Sequence, residues 1–541
     1  QTINTITDYI NYVVASNSTT KQYYVNNNQR PWITPEIKGL MNQKHDANQK
    51  QNKQKSKEIQ NDIKKLIKEA KIKYKEKMLA KMSTNIKMAW RGIKNMSNLS
   101  KPSNSDFDLL DVTEQQKLAD ELNGFYTRFD DPELPTIQPD PEPPPVPIAE
   151  QMITVEEVRE QLRTCDPSKA PGPDGITTKV LKSCYFELSQ IFCDIFNLCL
   201  RNGKLPILWK LSAIKPLPKK PNPKCNNDYR PIALTSVLMK CFERIIKNRL
   251  LQYVNLDEFQ FAYKKSRSTK DACIGLDYFL RSHLENPNTY ARVLFVDFTS
   301  AFNTIVPSIL LEKLESMNVP YYLQSLVKAF LVDRQQYVRI GNGKSSTLNC
   351  DIGCPQGCVL SPVLFSIYTD FIKSTSEKVK IFKYADDMAI VGFLNFKDPS
   401  TSYPYFESVQ NFVEQCASVN LLINSTKTKE MVVSFSRTYG IYDYLFINGS
   451  PIERVDTFKY LGTFFDSNLK WQSNTDYIYG KLKQRFYAFS RFKHFKPNKP
   501  QRDYFIASLI QPIFSYNIEL WFKYATVTQK EKLLHPFERN D

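Results

Sequence analysis

Between Ile381 and Phe393 the chain reads IFKYADDMAIVGF, two short apolar runs around a pair of acidic residues. This pattern predicts a β-hairpin with Asp386 and Asp387 at its tip. Upstream, the apolar run Val293-Leu294-Phe295-Val296 predicts a strand that delivers Asp297 at its end. Elsewhere the period changes. Ile59, Ile63, Leu66, Ile67, Ala70 and Tyr74 recur at helical spacing and predict a long amphipathic helix with one apolar stripe. Thr154 and Glu157 form a capping-box pattern ahead of Val158 and Leu162, so a helix and a folded domain begin there. Tyr477, Leu482, Phe486, Phe489 and Phe492 predict a helical C-terminal module. Between Thr154 and about Phe465 helices and short strands alternate, which predicts a mixed α/β (α+β) domain.

Prolines from Pro132 to Pro147, set among acidic residues, predict an extended linker. The expected organisation is a basic helical extension over 1–129, the linker over 130–150, a catalytic-type domain over 151–465 and a helical module over 466–541. A length of 541 residues and 42% hydrophobic content support several cores.

Charge narrows the class of partner. The net charge is +17, and a folded chain that basic is expected to meet a polyanion, nucleic acid before an anionic membrane surface. Lys44 to Lys94 holds 16 Lys or Arg against 5 Asp or Glu, a local excess of +11. Its helix has two readings: a solvated element docked by its stripe, or an arm that grips a phosphate backbone. The 11 scattered cysteines, with no secretory signal ahead of them, read as reduced thiols of an intracellular protein. No apolar run is long enough for a membrane span of roughly 18 residues or more, so no membrane partner is expected. From Gln1 at one end and Asp541 at the other, the sequence is read as a segment of a longer protein.

Adjacent carboxylates repel, so a cation is expected beside them. Asp297, Asp386 and Asp387 on two neighbouring strands suit two Mg2+ ions roughly 3.5 to 4 Å apart, an arrangement used for in-line phosphoryl or nucleotidyl transfer. Phe302, Pro355-Gln356-Gly357 and Tyr384-Ala385-Asp386-Asp387 follow Asp297 in that order. With Lys169-Ala170-Pro171-Gly172-Pro173-Asp174-Gly175-Ile176, Tyr229-Arg230-Pro231-Ile232, Gln260-Phe261-Ala262-Tyr263 and Phe458-Lys459-Tyr460-Leu461-Gly462, the chain resembles reverse transcriptases of non-LTR (LINE-type, CR1/L2-like) retrotransposons, strongly from about Thr154 to Leu469.

The resemblance implies a right-hand architecture of fingers, palm and thumb. It implies Asp297 and Asp386 as metal-binding aspartates, with Asp387 the third acidic member, either a ligand or a supporting carboxylate. Mg2+ is the implied ion, with Mn2+ as a substitute. Phe302, five residues after Asp297, falls where the family places a ring that rejects ribonucleotides; a plain core Phe is the other reading. Lys219 and Arg230 match the segment that contacts the triphosphate, with Lys215 and Lys220 as competitors for the lysine's role. Gln356 matches a residue near the incoming nucleotide, and Gly357 permits close backbone approach. Lys427 matches a palm lysine that protonates pyrophosphate, with Lys429 its competitor. Tyr460, Leu461 and Gly462 match the primer grip, which also reads as a structural turn.

Cys350, Cys354 and Cys358 have a spacing unlike a zinc knuckle, and none of His45, His283, His494 and His535 is near in sequence, so no structural zinc is expected. The implied activity is RNA-directed DNA polymerisation in target-primed reverse transcription. The implied partners are the element's own RNA as template, a DNA primer or target, and dNTPs. The expected location is a ribonucleoprotein of nucleus and cytoplasm. Two other readings are an RNA-directed RNA polymerase, disfavoured by Phe302 and Ala385, and an inactive RNA-binding or maturase-like protein, disfavoured by the intact aspartates.

Overall fold

The run Val293 to Val296 is fully buried in the central strand of a five-stranded sheet. In the computed structural model, which describes residues 2–19, 30–80, 90, 107, 110–130, 133–135, 137, 148–436, 442–493 and 496–538, the chain forms two compact units. The first comprises residues 1–20 and 106–462, the second 21–105 and 463–541. Most of the Pro-rich stretch lies outside the described residues.

The first unit is mixed α/β and holds two five-stranded sheets. One contains β1 (Leu211–Pro218), β2 (Tyr229–Leu234), β4 (Arg334–Ile340), β5 (Gly343–Lys344) and β6 (Leu348–Cys350), with β2 at an edge. The other runs from the short strand Glu453–Arg454 through β9 (Lys429–Val433), β3 (Thr289–Val296) and β8 (Asp387–Asn395) to β7 (Val379–Tyr384). β3 is antiparallel to both β8 and β9, and it reads as a continuous apolar run because both of its faces are packed: Leu294 and Val296 join the main core, and Phe295 stacks on Phe458 at 4.1 Å.

Helices Val155–Arg163, Tyr185–Asn202, Val237–Leu250, Pro307–Ser316, Tyr321–Leu331 and Ser361–Tyr368 share one core, in which Phe196 stacks on Phe242 at 4.6 Å. Thr154 caps the first of these with the reciprocal Glu157 contact that the sequence predicts. Two segments ahead of the linker also belong to this unit. Helix Thr2–Ser16 contributes Ile3 and Ile10 to the same core, and Asn11 Nδ2 donates to the Asp174 carbonyl at 2.9 Å. Helix Val112–Thr127 lies on the β4–β5 turn, where Gln115 Oε1 accepts from Asn342 N at 3.0 Å.

Buried charge fixes the second sheet internally. Arg292 of β3 makes two bonds to Glu430 of β9, at 2.8 and 2.9 Å, and Tyr405 adds a third at 2.9 Å. Such a pair is costly to desolvate unless further bonds support it, and here Arg292 Nη2 also donates to the Asp443 carbonyl at 3.0 Å while Arg454 Nη2 donates to Glu430 Oε2 at 3.3 Å.

The second unit is largely helical. Helices Pro35–Gln49 and Lys53–Ala80 pack through Ala47 of the first and Ile59 and Ile63 of the second, the latter two on the apolar stripe read from sequence. Helix Gln472–Lys493 buries Leu482, Phe486, Phe489 and Phe492, and Phe505 stacks on Phe492 at 5.1 Å. Among the described residues no helix is long and apolar enough to cross a membrane.

Candidate active site

β7 and β8 form a hairpin whose last ladder pair is Tyr384 with Asp387, leaving Ala385 and Asp386 as a two-residue turn. Ala385 takes φ 56°, the left-handed region that such tight turns require and that a Cβ disfavours. Asp386 is therefore the tip, and Asp387 opens β8. In the antiparallel β3–β8 ladder Val296 pairs with Met388, so Asp297, one residue beyond Val296, reaches the same end as Asp387. Backbone pairing alone gathers the three carboxylates.

Asp297 is fixed by the segment that follows on the chain's return. Its N–H donates to Thr428 Oγ1 at 3.2 Å, and its carbonyl accepts from Asn424 N at 2.8 Å. Oδ2 of Asp297 is buried without a hydrogen bond, and its ion-pair partner is Lys427 Nζ at 3.5 Å. Asp386 and Asp387 are exposed at the hairpin tip, although enough protein surrounds their carboxyls to weaken their solvation. Burial raises the Asp386 carboxyl, and Asp297 adds to the shift while Arg230 opposes it. Burial, then Asp386 and Asp297, push Asp387 up to about 6. A carboxylate oxygen with no hydrogen bond and mutually repelling neighbours are a donor set that suits hard divalent cations. Among the described residues no ready-made cluster of three or more His, Cys, Asp or Glu closes on one metal position.

Cations face these carboxylates. Lys219 is pulled down first by burial, then by Lys427 and Arg230, with Asp228 and Asp297 opposing, so these charges lie within reach of one another. Lys219 Nζ donates to the Asn227 carbonyl at 2.7 Å, whereas Lys220 pairs with Asp228 at 2.8 Å. Lys215 is exposed on β1, and Arg230 is exposed on β2. Lys429 is held by Glu453 at 2.6 Å, which separates it from Lys427 in environment.

Phe302 lies in the turn Ala301–Asn303, half-buried and 4.8 Å from the Phe365 ring. Its carbonyl accepts from Cys354 N at 2.7 Å, tying it to the loop 353–360. In that loop Gln356 Nε2 donates to Asn303 Oδ1 at 3.3 Å, and the Gln356 carbonyl accepts from Ala233 N of β2 at 2.7 Å. Two glycines allow this. A Cβ on Gly353 would sit 2.8 Å from the Asn303 backbone, and one on Gly357 3.1 Å from the Ala233 carbonyl, both at positive φ. Cys350, Cys354 and Cys358 are buried, and burial pushes the first two thiols up to about 11 and about 12.

Tyr460 is buried, with Phe295 at 5.5 Å, and burial, Cys273 and Asp387 raise its phenol. Leu461 and Gly462 follow at φ 44° and 88°, a turn geometry. Three further residues lie close to this site: Tyr263, which ends the string Gln260 to Tyr263, and Lys383 and Glu243, which have no local signature in the sequence. Tyr263 has its phenol raised by burial and then by Asp386. Lys383, fully buried next to the hairpin tip, pairs with Asp257 at 3.1 Å and donates to the Ile372 carbonyl at 2.9 Å. Glu243, on helix Val237–Leu250, accepts from the loop that carries Gln356.

Residues 217–465 match the family described as "Reverse transcriptase (RNA-dependent DNA polymerase)". The chain carries a reverse transcriptase domain. Around it the chain is 26% identical over 386 residues to "Probable RNA-directed DNA polymerase from transposon BS" of Drosophila melanogaster, covering 68% of this chain and 42% of that protein. It is 30% identical over 331 residues to "RNA-directed DNA polymerase from mobile element jockey" of the same species, covering 59% and 35%. A "Retrovirus-related Pol polyprotein from type-1 retrotransposable element R2" of Popillia japonica is 25% identical over 332 residues, covering 58% and 45%. The chain thus spans less than half the length of these relatives. These relatives are polymerases of transposons and retrotransposable elements, and all of Asp297, Phe302, Gln356, Asp386 and Asp387 fall inside the segment matched to the reverse transcriptase family.

Proposed function

We propose that this chain adds dNTPs to a primer 3′-hydroxyl on an RNA template, as the polymerase of a non-LTR retrotransposon acting in target-primed reverse transcription. The observation that carries the reading is the convergence of Asp297, Asp386 and Asp387 at one end of β3 and β8, with Lys219, Arg230 and Lys427 in electrostatic reach. The β3 sheet is read as a palm, the β1 sheet as fingers and the helices after Gln472 as a thumb.

Asp297 and Asp386 are assigned to hold divalent cations, with Asp387 beside them as ligand or as a second negative charge. Bound Mg2+ supplies Lewis-acid stabilisation of the reacting oxygens. Arg230 is assigned to offer a fork and Lys219 a point charge to the triphosphate, and Lys427, 3.5 Å from Asp297, is assigned to give a proton to pyrophosphate. Gln356, oriented by Asn303, and Phe302, backed by Phe365, line the side where the incoming sugar would sit. The turn Leu461–Gly462 is assigned to the primer end.

Primer extension on a heteropolymeric RNA template with Mg2+, comparing dNTPs with NTPs, tests this. Extension with dNTPs alone is expected, and Phe302→Ala should raise NTP use by about tenfold or more, since a shape filter gives discrimination of this order. Absence of extension with RNA binding retained would favour the maturase-like alternative. Equal use of NTPs by the unaltered chain would favour an RNA polymerase.

A further inference from the structure

Beneath the loop 353–360 lies a carboxylate that the reaction does not touch. Glu243 is fully buried on helix Val237–Leu250. Its Oε2 accepts from Val359 N at 2.5 Å and from Leu360 N at 2.9 Å, the amides that lead into helix Ser361–Tyr368. Its Oε1 is buried without a hydrogen bond. We infer that Glu243 is a positioning residue that locks the 353–360 loop, and through it Gln356 and the β2 strand bearing Arg230, in the conformation that receives the nucleotide.

The connections run through backbone and two short side-chain contacts. The loop leaves Glu243 at Val359 and Leu360, and Ser361 Oγ closes it by donating to the Pro355 carbonyl at 2.8 Å. Gln356 then receives Ala233 N of β2 on its carbonyl and donates its amide to Asn303. On the far side Gly353 N and Cys354 N donate to the carbonyls of Ile305 and Phe302, each at 2.7 Å. A shift at Val359 therefore reaches the nucleotide side of the loop along a short run of backbone braced by the Ser361 hydroxyl and the Gln356–Asn303 contact.

Stability does not require the charge. Burial pushes the Glu243 carboxyl up to about 7, with the two amides opposing, so ionisation costs free energy in the fold. A glutamine has the same outline and its carbonyl can accept the same amides. What it lacks is the charge-assisted strength of the two bonds, roughly twice that of neutral ones. Retaining a costly carboxylate makes sense where the loop must be held still.

This rests on the polymerase reading for its kinetic half only, and the test separates the two. Hydrogen exchange of peptides covering 353–368 is measured for the full chain, Glu243→Gln and Glu243→Ala, together with melting temperature, primer–template affinity and steady-state dNTP kinetics. For Glu243→Gln we expect about fivefold to tenfold faster exchange in the loop and a similar rise in the dNTP KM, as charge-assisted bonds become neutral ones. The kcat should stay within about twofold, primer–template affinity unchanged and the melting temperature at alkaline pH equal or higher. Unchanged loop exchange in Glu243→Gln and Glu243→Ala alike overturns the inference. So does an unchanged KM with activity falling in step with the folded fraction. If the unaltered chain extends no primer, the polymerase reading fails, and exchange alone still decides whether Glu243 holds the loop.

Discussion

In the sheet built on β3, acidic side chains are placed by the backbone. Asp297 and Asp387 end up together because Val296 pairs with Met388, and Asp386 follows because the hairpin closes in two residues. In the sheet built on β1, the cations sit otherwise. Arg230 is an exposed residue of the edge strand β2, and Lys219 lies just past the end of β1, held by a single carbonyl. The difference follows from the ligands each sheet is suited to. Divalent cations need oxygens at fixed separations, which strands provide, whereas phosphate oxygens accept a point charge or a fork from several directions. Breaking the first sheet should therefore cost far more than altering the second.

Asp386→Ala tests that asymmetry at its strongest. Removing a carboxylate assigned to the cations should lower nucleotide addition by about a thousandfold or more, the scale of several kcal/mol of transition-state stabilisation. RNA binding, measured by filter retention, should stay nearly intact. Lys219→Ala should reduce addition by about tenfold, as one charge among three is lost. Comparable losses in the two variants would erase the distinction between the sheets.

Lys383→Met attacks the hairpin from below. The ammonium is fully buried against Asp257 and carbonyls at the end of helix Ser361–Tyr368. Removing one partner of a buried pair strands the other, at about 3 to 5 kcal/mol. Chemical denaturation should show that loss of stability. A change under about 1 kcal/mol would mean that Asp257 finds water and the hairpin tip does not depend on this lysine.

The acidic end also predicts a pH dependence. Asp387 titrates near 6 in the fold, above its ordinary value of 3.8, so the folded state binds the proton more tightly than the unfolded chain. Its contribution to stability is accordingly greatest at low pH and is lost as pH rises from about 4 to about 6. Mg2+ binding should show the opposite trend, weakening by up to about tenfold per pH unit below pH 6 as protons occupy the carboxylate cluster. Calorimetric titration at about pH 5 and about pH 7.5 measures this. Equal affinity at both values would remove Asp387 from the cation site.

How much of this was legible in the sequence depended on the range of the interactions. The hairpin at Asp386, the cap at Thr154 and the stripe of helix Lys53–Ala80 rest on neighbours a few residues apart, and each is where the pattern put it. Nothing local in the sequence marks Lys383 as buried, because the carboxylate that allows its burial lies on a distant segment at Asp257. Glu243 is disguised in the same way, since an acidic residue in an amphipathic helix ordinarily points to water. Its partners at Val359 and Leu360 exist only once the loop has folded over it. The grouping of helix Thr2–Ser16 with the first unit depends likewise on Asp174, far along the chain.

Helix Lys53–Ala80 extends the comparison to cations with no acidic site to serve. Only Ser56, Ile59, Ile63 and Met78 are buried along it, so most of its lysines face outward. If they neutralise phosphates, each contact should contribute about 0.7 to 0.9 to the slope of log affinity against log salt. Replacing Lys64, Lys68 and Lys71 by Glu should then lower the slope for RNA by about two to three, with only a modest change in affinity at high salt. Deleting the segment is a poorer test, because a cut from the N-terminus also removes Ile3 and Ile10 from the first unit's core. An unchanged slope in the triple variant would assign the helix to scaffold, and the phosphate contacts would have to come from Arg230, Lys219 and other cations of the first unit.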